Sequence, residues 1–224
     1  MTCVALFRAI NVSGRNRIPM ADLRGLLEQL GLRHVRTHLQ SGNAVFDADE
    51  GSAQELATAI EVRIERDLGP RVGVLVLPAD AFAAVVAANP FLGAAGSAGP
   101  DAAAEVADES TLHATFLFGS QGESDFGEAP EAAYSAVYEA AFRRLELPAA
   151  EDEEAAFVGV PPLAEPVVYL TLPHGYGRTK LNNAFFERKL GAAATTRNWR
   201  TVRALVEMST AGGALSGGAA LADE

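Results

Sequence analysis

The chain has 224 residues, a formal net charge of −11 and 49% hydrophobic side chains, which fits one large or two small globular domains. The apolar runs fall short of the roughly 18 residues that a membrane span needs, and the negative charge argues against a general nucleic-acid coat. Cys3 is the single cysteine, which excludes an internal disulfide and a cysteine-rich metal site. We therefore expect a cytoplasmic protein.

Residues 1–77 predict the element order β-α-β-β-α-β. Apolar alternation and short apolar runs predict strands at residues 3–7, 34–39, 44–46 and 72–77. A first helix begins with Pro19 at its first position and ends at Gly31, and a second begins with a Ser52–Glu55 capping box and ends at Gly69. This split β-α-β order is that of a ferredoxin-like unit.

The second half of the chain repeats most of this order. Residues 78–88 predict a helix, and the Gly-, Ala- and Ser-rich residues 93–110 predict a linker or mobile loop. Strands are predicted at 112–118, 157–160 and 167–172, and helices at 131–145, 180–190 and 198–208. The sequence therefore predicts an α+β fold of two ferredoxin-like, βαββαβ-type units that arose by structural duplication. The units are residues 1–92 and 111–210, the second with an extra C-terminal helix, and a flexible tail follows at 211–224.

Positive charge is gathered at the two ends of the chain, and the first candidate site lies near the N-terminus. Strands one and two of a ferredoxin-like unit are parallel, so the connections that follow them leave the sheet at the same edge. The side chains expected together there are Arg8, Asn11, Arg15, Arg17, Ser41 and Asn43. Guanidinium groups, amides and a helix N-terminus suit a phosphate or a carboxylate. The alternative is that the uncharged members of this set satisfy backbone groups in two tight connections.

The second candidate site is the segment Pro173–Lys180, which lies between a strand and a helix. Two glycines, a threonine hydroxyl and the cations Arg178 and Lys180 resemble a phosphate cradle, although the spacing of a Walker A loop is absent. Gly-rich turns at helix starts also occur without a ligand, and that alternative stays open.

The third candidate site surrounds Arg197, beside the start of the final helix. Thr196 or Asn198 is expected to cap that helix, and Trp199 is expected to pack it onto the sheet, with a stacking platform for a base as the alternative. Arg197 is expected either to bind an anion or to form a bidentate pair with an acidic group of the other unit.

Other chemistry is sparse. His34 and His38 share a strand face about 13 Å apart, too far for one metal ion. No Ser-His-Asp set, nucleophile elbow or dinucleotide fingerprint is present, so the sequence assigns neither a metal nor a cofactor. His174 is the best available general base if the protein is an enzyme.

Five segments in order resemble a bacterial family known as domain of unknown function 1697. They are residues 7–20, Gln40-Ser41-Gly42-Asn43, Asn89-Pro90-Phe91, Gly177–Asn183 and Ala194–Trp199. The resemblance extends from residue 2 to 208 and implies a cytoplasmic two-unit α+β protein, with no established substrate or cofactor. Glycine is usual in that family at positions 9 and 13, where this chain has Ala9 and Ser13.

We therefore expect a protein that binds a phosphate-bearing anion, either a nucleotide or a nucleic-acid strand, through its basic strand-to-helix loops. The alternative is an interaction or scaffold protein, a homodimer included, in which those loops dock the two units or a partner protein. An enzyme acting on a phosphorylated substrate is a third hypothesis. No membrane association is expected.

Overall fold

The computed structural model describes residues 1–12, 14, 16–40, 42–49, 51–92, 108–120, 138–158 and 166–211. The chain forms two compact units: Met1–Phe82 together with the described residues from Arg203 onward, and Ala83–Val202. Residues 93–107 of the predicted linker and the predicted tail after Ala211 lie outside the described residues.

The first unit has the predicted β-α-β-β-α-β order. Its elements are β1 (Thr2–Phe7), α1 (Met20–Gln29), β2 (Arg33–Thr37), β3 (Asn43–Asp47), α2 (Ala53–Leu68) and β4 (Val74–Pro78). The strands pair antiparallel in the order β2-β3-β1-β4. β1 and β2 are therefore parallel, with β3 between them, which is the ferredoxin-like arrangement.

The core of the first unit lies between one face of this sheet and its two helices. Alternate residues of β1, including Ala5 and Phe7, pack with Leu27 of α1 and Ile60 and Ile64 of α2. The predicted capping of α2 is present, since the Ser52 hydroxyl accepts from the Glu55 amide and Gly69 ends the helix with φ of +92°. Pro19 precedes α1 instead of occupying its first position.

The second unit repeats the strand order of the first. After α3 (Ala79–Ala87) and a 3₁₀ turn (Pro90–Leu92) come β5 (Leu112–Ser120), β6 (Glu154–Val158), β7 (Val167–Thr171), α4 (Asn183–Leu190), β8 (Ala192–Asn198) and α5 (Trp199–Ala211). Its sheet is antiparallel in the order β6-β7-β5-β8, which matches β2-β3-β1-β4 position for position. This equivalence supports a structural duplication.

The largest error of the sequence prediction is strand β8. The sequence predicts no strand at residues 192–198, Ala-Ala-Ala-Thr-Thr-Arg-Asn, but these residues pair with β5. Alanine favours helices in isolation, and the segment shows no apolar alternation. Residues 192–195 are buried on both faces of the sheet. Pairing with β5 and packing on both faces therefore determine the structure of this segment, and local propensity does not.

Smaller differences concern the ends of elements. The strand predicted at 157–160 is β6, Glu154–Val158, and the helix predicted at 180–190 begins at Asn183 because the Asn182 side chain caps it. Of the helix predicted at 131–145, residues 138–142 are helical and 131–137 lie outside the described residues. None of the helices in the described ranges is long and apolar enough to cross a membrane.

Candidate functional site

The two connections at one edge of the first unit meet, as the parallel course of β1 and β2 predicts. The Asn11 amide, in the β1–α1 connection, donates to the Gln40 carbonyl in the β2–β3 turn at 2.9 Å. The Phe7 amide donates to the Gly42 carbonyl at 3.0 Å. Gly42 has φ of +80°, so it supplies the left-handed conformation expected of this turn.

Asn11 and Asn43 act within these connections. Asn11 Nδ2 also donates to the Ile18 carbonyl at 2.9 Å, and its Oδ1 accepts from the Ile18 amide at 2.9 Å. Asn43 is fully buried, and its Nδ2 donates to the His38 carbonyl at 2.9 Å. Both donor hydrogens of Asn11 are thus used by backbone carbonyls, as the structural alternative for this site expects.

The cations of this first candidate site are placed unevenly. Arg8 is half-buried at the end of β1, and its backbone amide donates to the Gly73 carbonyl at 2.8 Å. Arg17 is exposed, whereas Arg15 and Ser41 lie outside the described residues. The structure therefore brings Asn11 beside the β2–β3 turn. Among the described cations of the β1–α1 connection, Arg17 is the one that is exposed to solvent.

The backbone of the β1–α1 connection is unusual. Ala9, Asn11 and Asn16 all have φ near +50°, in the left-handed region that non-glycine residues seldom occupy. The glycine that is usual at position 9 in the resembling family therefore has a conformational reason, and Ala9 adopts the same conformation at an energetic cost.

In the second unit, β8 brings two basic segments to one sheet edge. Both β7 and β8 pair antiparallel with β5, so they run parallel to each other and end at the same edge. The segment Pro173–Lys180 follows β7, and the segment around Arg197 forms the end of β8. The second and third candidate sites are thus neighbours, separated by the width of one strand.

Tyr176 connects these two segments. Its hydroxyl oxygen accepts from the Asn183 amide at the start of α4, at 3.0 Å, and also interacts with the Thr196 hydroxyl of β8. Thr196 in turn donates to Asn183 Oδ1 at 2.6 Å and bonds with the Thr115 hydroxyl at 2.8 Å. The Tyr176 ring stacks on His113 of β5 with a centroid distance of 5.7 Å. Burial raises the pKa of the Tyr176 hydroxyl, which stays protonated at neutral pH.

The segment between Tyr176 and α4 alternates between buried and exposed side chains. The buried Thr179 hydroxyl donates to the buried Glu153 carboxylate at 2.9 Å and accepts from the Leu181 amide at 2.9 Å. This anchor turns Arg178 and Lys180, on either side of Thr179, out to solvent. Within the described part of the chain, no side chain pairs with either cation.

His174, the candidate general base, forms an ion pair with Asp152 in which Nε2 lies 2.8 Å from Oδ2. Both side chains are about half exposed. A carboxylate partner orients the imidazole, but no nucleophile with a bound base is present beside it among the described residues. The structure thus adds no support for the enzyme hypothesis through His174.

Arg197 is a buried cation. It is 7% exposed, and one guanidinium nitrogen donates to the Thr195 hydroxyl at 2.7 Å and to the Thr196 carbonyl at 2.9 Å. Burial lowers the pKa of the guanidinium to about 10, which still leaves it charged at neutral pH. The register of β8, a strand that the sequence did not predict, turns this side chain into the protein.

The residues around Arg197 behave as predicted. Asn198 Oδ1 accepts from the Thr201 amide at 2.9 Å and so caps α5. Trp199 is fully buried, and its ring centroid lies 6.3 Å from that of Tyr169 on β7, so it packs the helix onto the sheet. Tyr176 and Asn183 lie in the segments Pro173–Lys180 and Gly177–Asn183, but the sequence predicts no role for either residue. The sequence feature that could have indicated a role for them is their position close to the glycine-rich turn.

The fold and these sites define an α+β protein of two ferredoxin-like units with a polar, basic edge. Residues 1–144 match the family described as a protein of unknown function, DUF1697, and because this is more than half of the 224 residues, the chain belongs to that family. The resemblance seen in its motifs is thereby confirmed.

One solved structure similar to this chain is that of the conserved bacterial protein SP0830 from Streptococcus pneumoniae. It is 22% identical, the match covers 93% of this chain and 98% of the other, and the TM-score is 0.60. At this identity the likeness shows a shared fold alone. No curated protein matches the chain.

Proposed function

We propose that the second unit binds a phosphate-bearing ligand, a nucleotide or a nucleic-acid strand, at the sheet edge where β7 and β8 end. The observation that carries this proposal is that several exposed cations lie at this edge without an ion-pair partner in the described part of the chain. Arg178 and Lys180 flank the anchored Thr179, and the exposed Arg200 lies in the first turn of α5. Two helix N-termini, of α4 and α5, begin at the same edge and add partial positive charge.

The proposed site is held in place before any ligand arrives. Thr179 is fixed by Glu153, and Tyr176 is fixed by the Asn183 amide and the stacked His113. Ordering a flexible loop would otherwise reduce the affinity, so this preorganisation favours binding. The nearby carboxylates of Asp152 and Glu153 oppose an anion, so a ligand must gain more from the exposed cations and the helix N-termini than it loses to this repulsion.

A thermal-shift screen of the purified chain tests the proposal. The panel contains nucleotides, sugar phosphates, polyphosphate and short RNA and DNA. A ligand at 100 times its Kd adds about 2.7 kcal/mol to the free energy of unfolding, or roughly 5–10 °C in Tm at this length. The proposal predicts such a shift for at least one phosphate-bearing member of the panel. An unchanged Tm across the whole panel would contradict it.

The dependence of affinity on salt concentration distinguishes a nucleic-acid strand from a single nucleotide. A strand that neutralises several cations releases several counterions, so its affinity falls steeply between low and moderate salt, whereas a single nucleotide shows a shallow dependence. The net charge of −11 favours the smaller ligand.

A second candidate function, protein interaction through a second copy of the chain, rests on two exposed apolar side chains. Val12 is 52% exposed and Leu39 is 56% exposed, and they lie in the two connections that Asn11 and Gln40 join. We expect Leu39→Ser to shift the sedimentation coefficient from dimer to monomer. Val62→Ser, at a 62% exposed position on α2, is the matched control and should leave it unchanged. A wild-type chain that sediments as a monomer would exclude this candidate.

A further inference from the structure

One face of the second sheet carries an unusual row of side chains. In the strand register Ala114 of β5 stands directly between Tyr169 of β7 and Arg197 of β8, so the three residues share a face. The Tyr169 hydroxyl donates to the Val85 carbonyl of α3 at 2.7 Å, and the Trp199 ring lies against Tyr169. This row, which we call the Tyr169 face, lies opposite the face that packs on α4.

Two buried donors near the Tyr169 face have no acceptor. Trp199 Nε1 and Asn89 Nδ2 make no hydrogen bond, although the two residues are 0% and 5% exposed. Asn89 lies four residues after Val85, just before the 3₁₀ turn that contacts β7. Its Oδ1 accepts from the Phe91 amide at 2.9 Å, which fixes the amide and leaves its NH₂ group inside the unit.

Such donors are rare in folded proteins because each buried N–H without a partner costs about 1–3 kcal/mol. The unused groups here are both donors, and the third polar group of the face is a buried guanidinium. Tyr169 cannot supply the missing acceptor from its present position, since no hydrogen bond joins it to the indole. A group that accepts hydrogen bonds and carries negative charge would supply an acceptor to the two unused donors and would be attracted by the charge of the guanidinium.

We infer that the Tyr169 face holds a small oxyanion, a phosphate or carboxylate group, whose oxygens accept from Trp199 Nε1 and Asn89 Nδ2 beside the Arg197 guanidinium. Ala114, in the middle of the row, has the smallest side chain of the three. This site goes beyond the proposed function, because it uses none of the exposed cations Arg178 and Lys180.

Trp199 makes the inference directly measurable, since it is the single tryptophan of the chain. The full chain is titrated with inorganic phosphate, and separately with acetate, at constant ionic strength set with chloride, while indole emission is recorded. An oxyanion bound at Trp199 Nε1 predicts a saturable change in emission with a Kd of about 1 mM or tighter. The absence of any saturable change with both probes would overturn the inference.

Variants distinguish this site from the proposed edge site. Asn89→Asp replaces the NH₂ donor with a carboxylate of the same shape and should weaken binding at least about tenfold. Trp199→Phe keeps an aromatic ring but removes the N–H, and it should weaken binding similarly when measured by calorimetry. Arg188→Ala removes an exposed cation from the opposite end of α4 and is the matched control that should leave the affinity unchanged. The indole response of Arg178→Ala then distinguishes the two sites.

Two results would overturn the inference. If Arg178→Ala abolishes the response and Asn89→Asp does not, the anion binds at the edge of β7, so the proposed function stands and this inference fails. A crystal structure grown in phosphate in which a water molecule alone bridges Trp199 Nε1 and Asn89 Nδ2 would also overturn it.

Discussion

Gly42, in the β2–β3 turn, is the position where one added methyl group should most disturb the paired connections of the first unit. A Cβ there would lie 2.6 Å from Ile10 Cγ1 and 2.9 Å from Phe7 Cβ, and both of those residues are fully buried. The left-handed φ of +80° costs a non-glycine residue about 1–2 kcal/mol, and overpacking a core costs about 1–3 kcal/mol. Gly42→Ala should therefore lose about 3 kcal/mol, or roughly 6–12 °C in Tm.

Gly31 offers the matched control for this prediction. It has φ of +84°, yet no atom lies within 4 Å of an added Cβ. Gly31→Ala should therefore lose only the conformational part, about 1–2 kcal/mol. Thermal and urea unfolding, followed by circular dichroism, give both values. Equal losses in the two variants would show that the turn does not press against Ile10 and Phe7, and would refute the reasoning.

Three further predictions concern stability. Ala9→Gly should raise the free energy of unfolding by about 0.5–1 kcal/mol in urea titrations, because relief of the strained φ exceeds the added chain entropy; a loss of stability would contradict this. Asn198→Ala should lower it by about 1 kcal/mol in the same assay, since α5 loses its cap to Thr201, and a neutral result would contradict the cap. Burial lowers the pKa of His113 from its ordinary value of 6.5, so the unfolded chain binds that proton more readily. The stabilising contribution of the neutral imidazole is complete above about pH 6.5 and is lost as the pH falls toward the folded pKa. The Tm of the wild type minus the Tm of His113→Phe should therefore decrease as the pH is lowered from about 7.5 to 5.5. A difference that stays constant with pH would contradict the assignment.

The first unit could be predicted almost entirely from the sequence. Three of its four strands are largely apolar, its helices carry regular apolar stripes, and Pro19, Gly31, Gly42 and Gly69 mark the boundaries. The proximity of the β1–α1 connection and the β2–β3 turn followed from the parallel course of two strands. The role of Asn11 could not be decided beforehand, because one amide can serve the backbone or a ligand equally well.

The second unit was harder because β8 lacks the pattern of a strand. Its alanines and threonines have little apolar periodicity, and pairing with β5 supplies what local propensity does not. Without β8, the segments around Arg178 and Arg197 could not be placed at one edge. The burial of Arg197 was also unpredictable, since an isolated arginine in a polar segment is usually exposed and only the register turns it inward.

The central claim, that the edge formed by β7 and β8 binds a phosphate-bearing ligand, is tested most directly by a pair of charge-matched double variants. Arg178→Ala with Lys180→Ala removes two cations from the proposed site, whereas Arg188→Ala with Lys189→Ala removes two exposed cations from the opposite end of α4. Affinity for the strongest ligand of the thermal-shift panel is measured by calorimetry for both. The claim predicts a loss of at least about tenfold in the first variant and less than about twofold in the second. Equal losses, or none in the first variant, would contradict it.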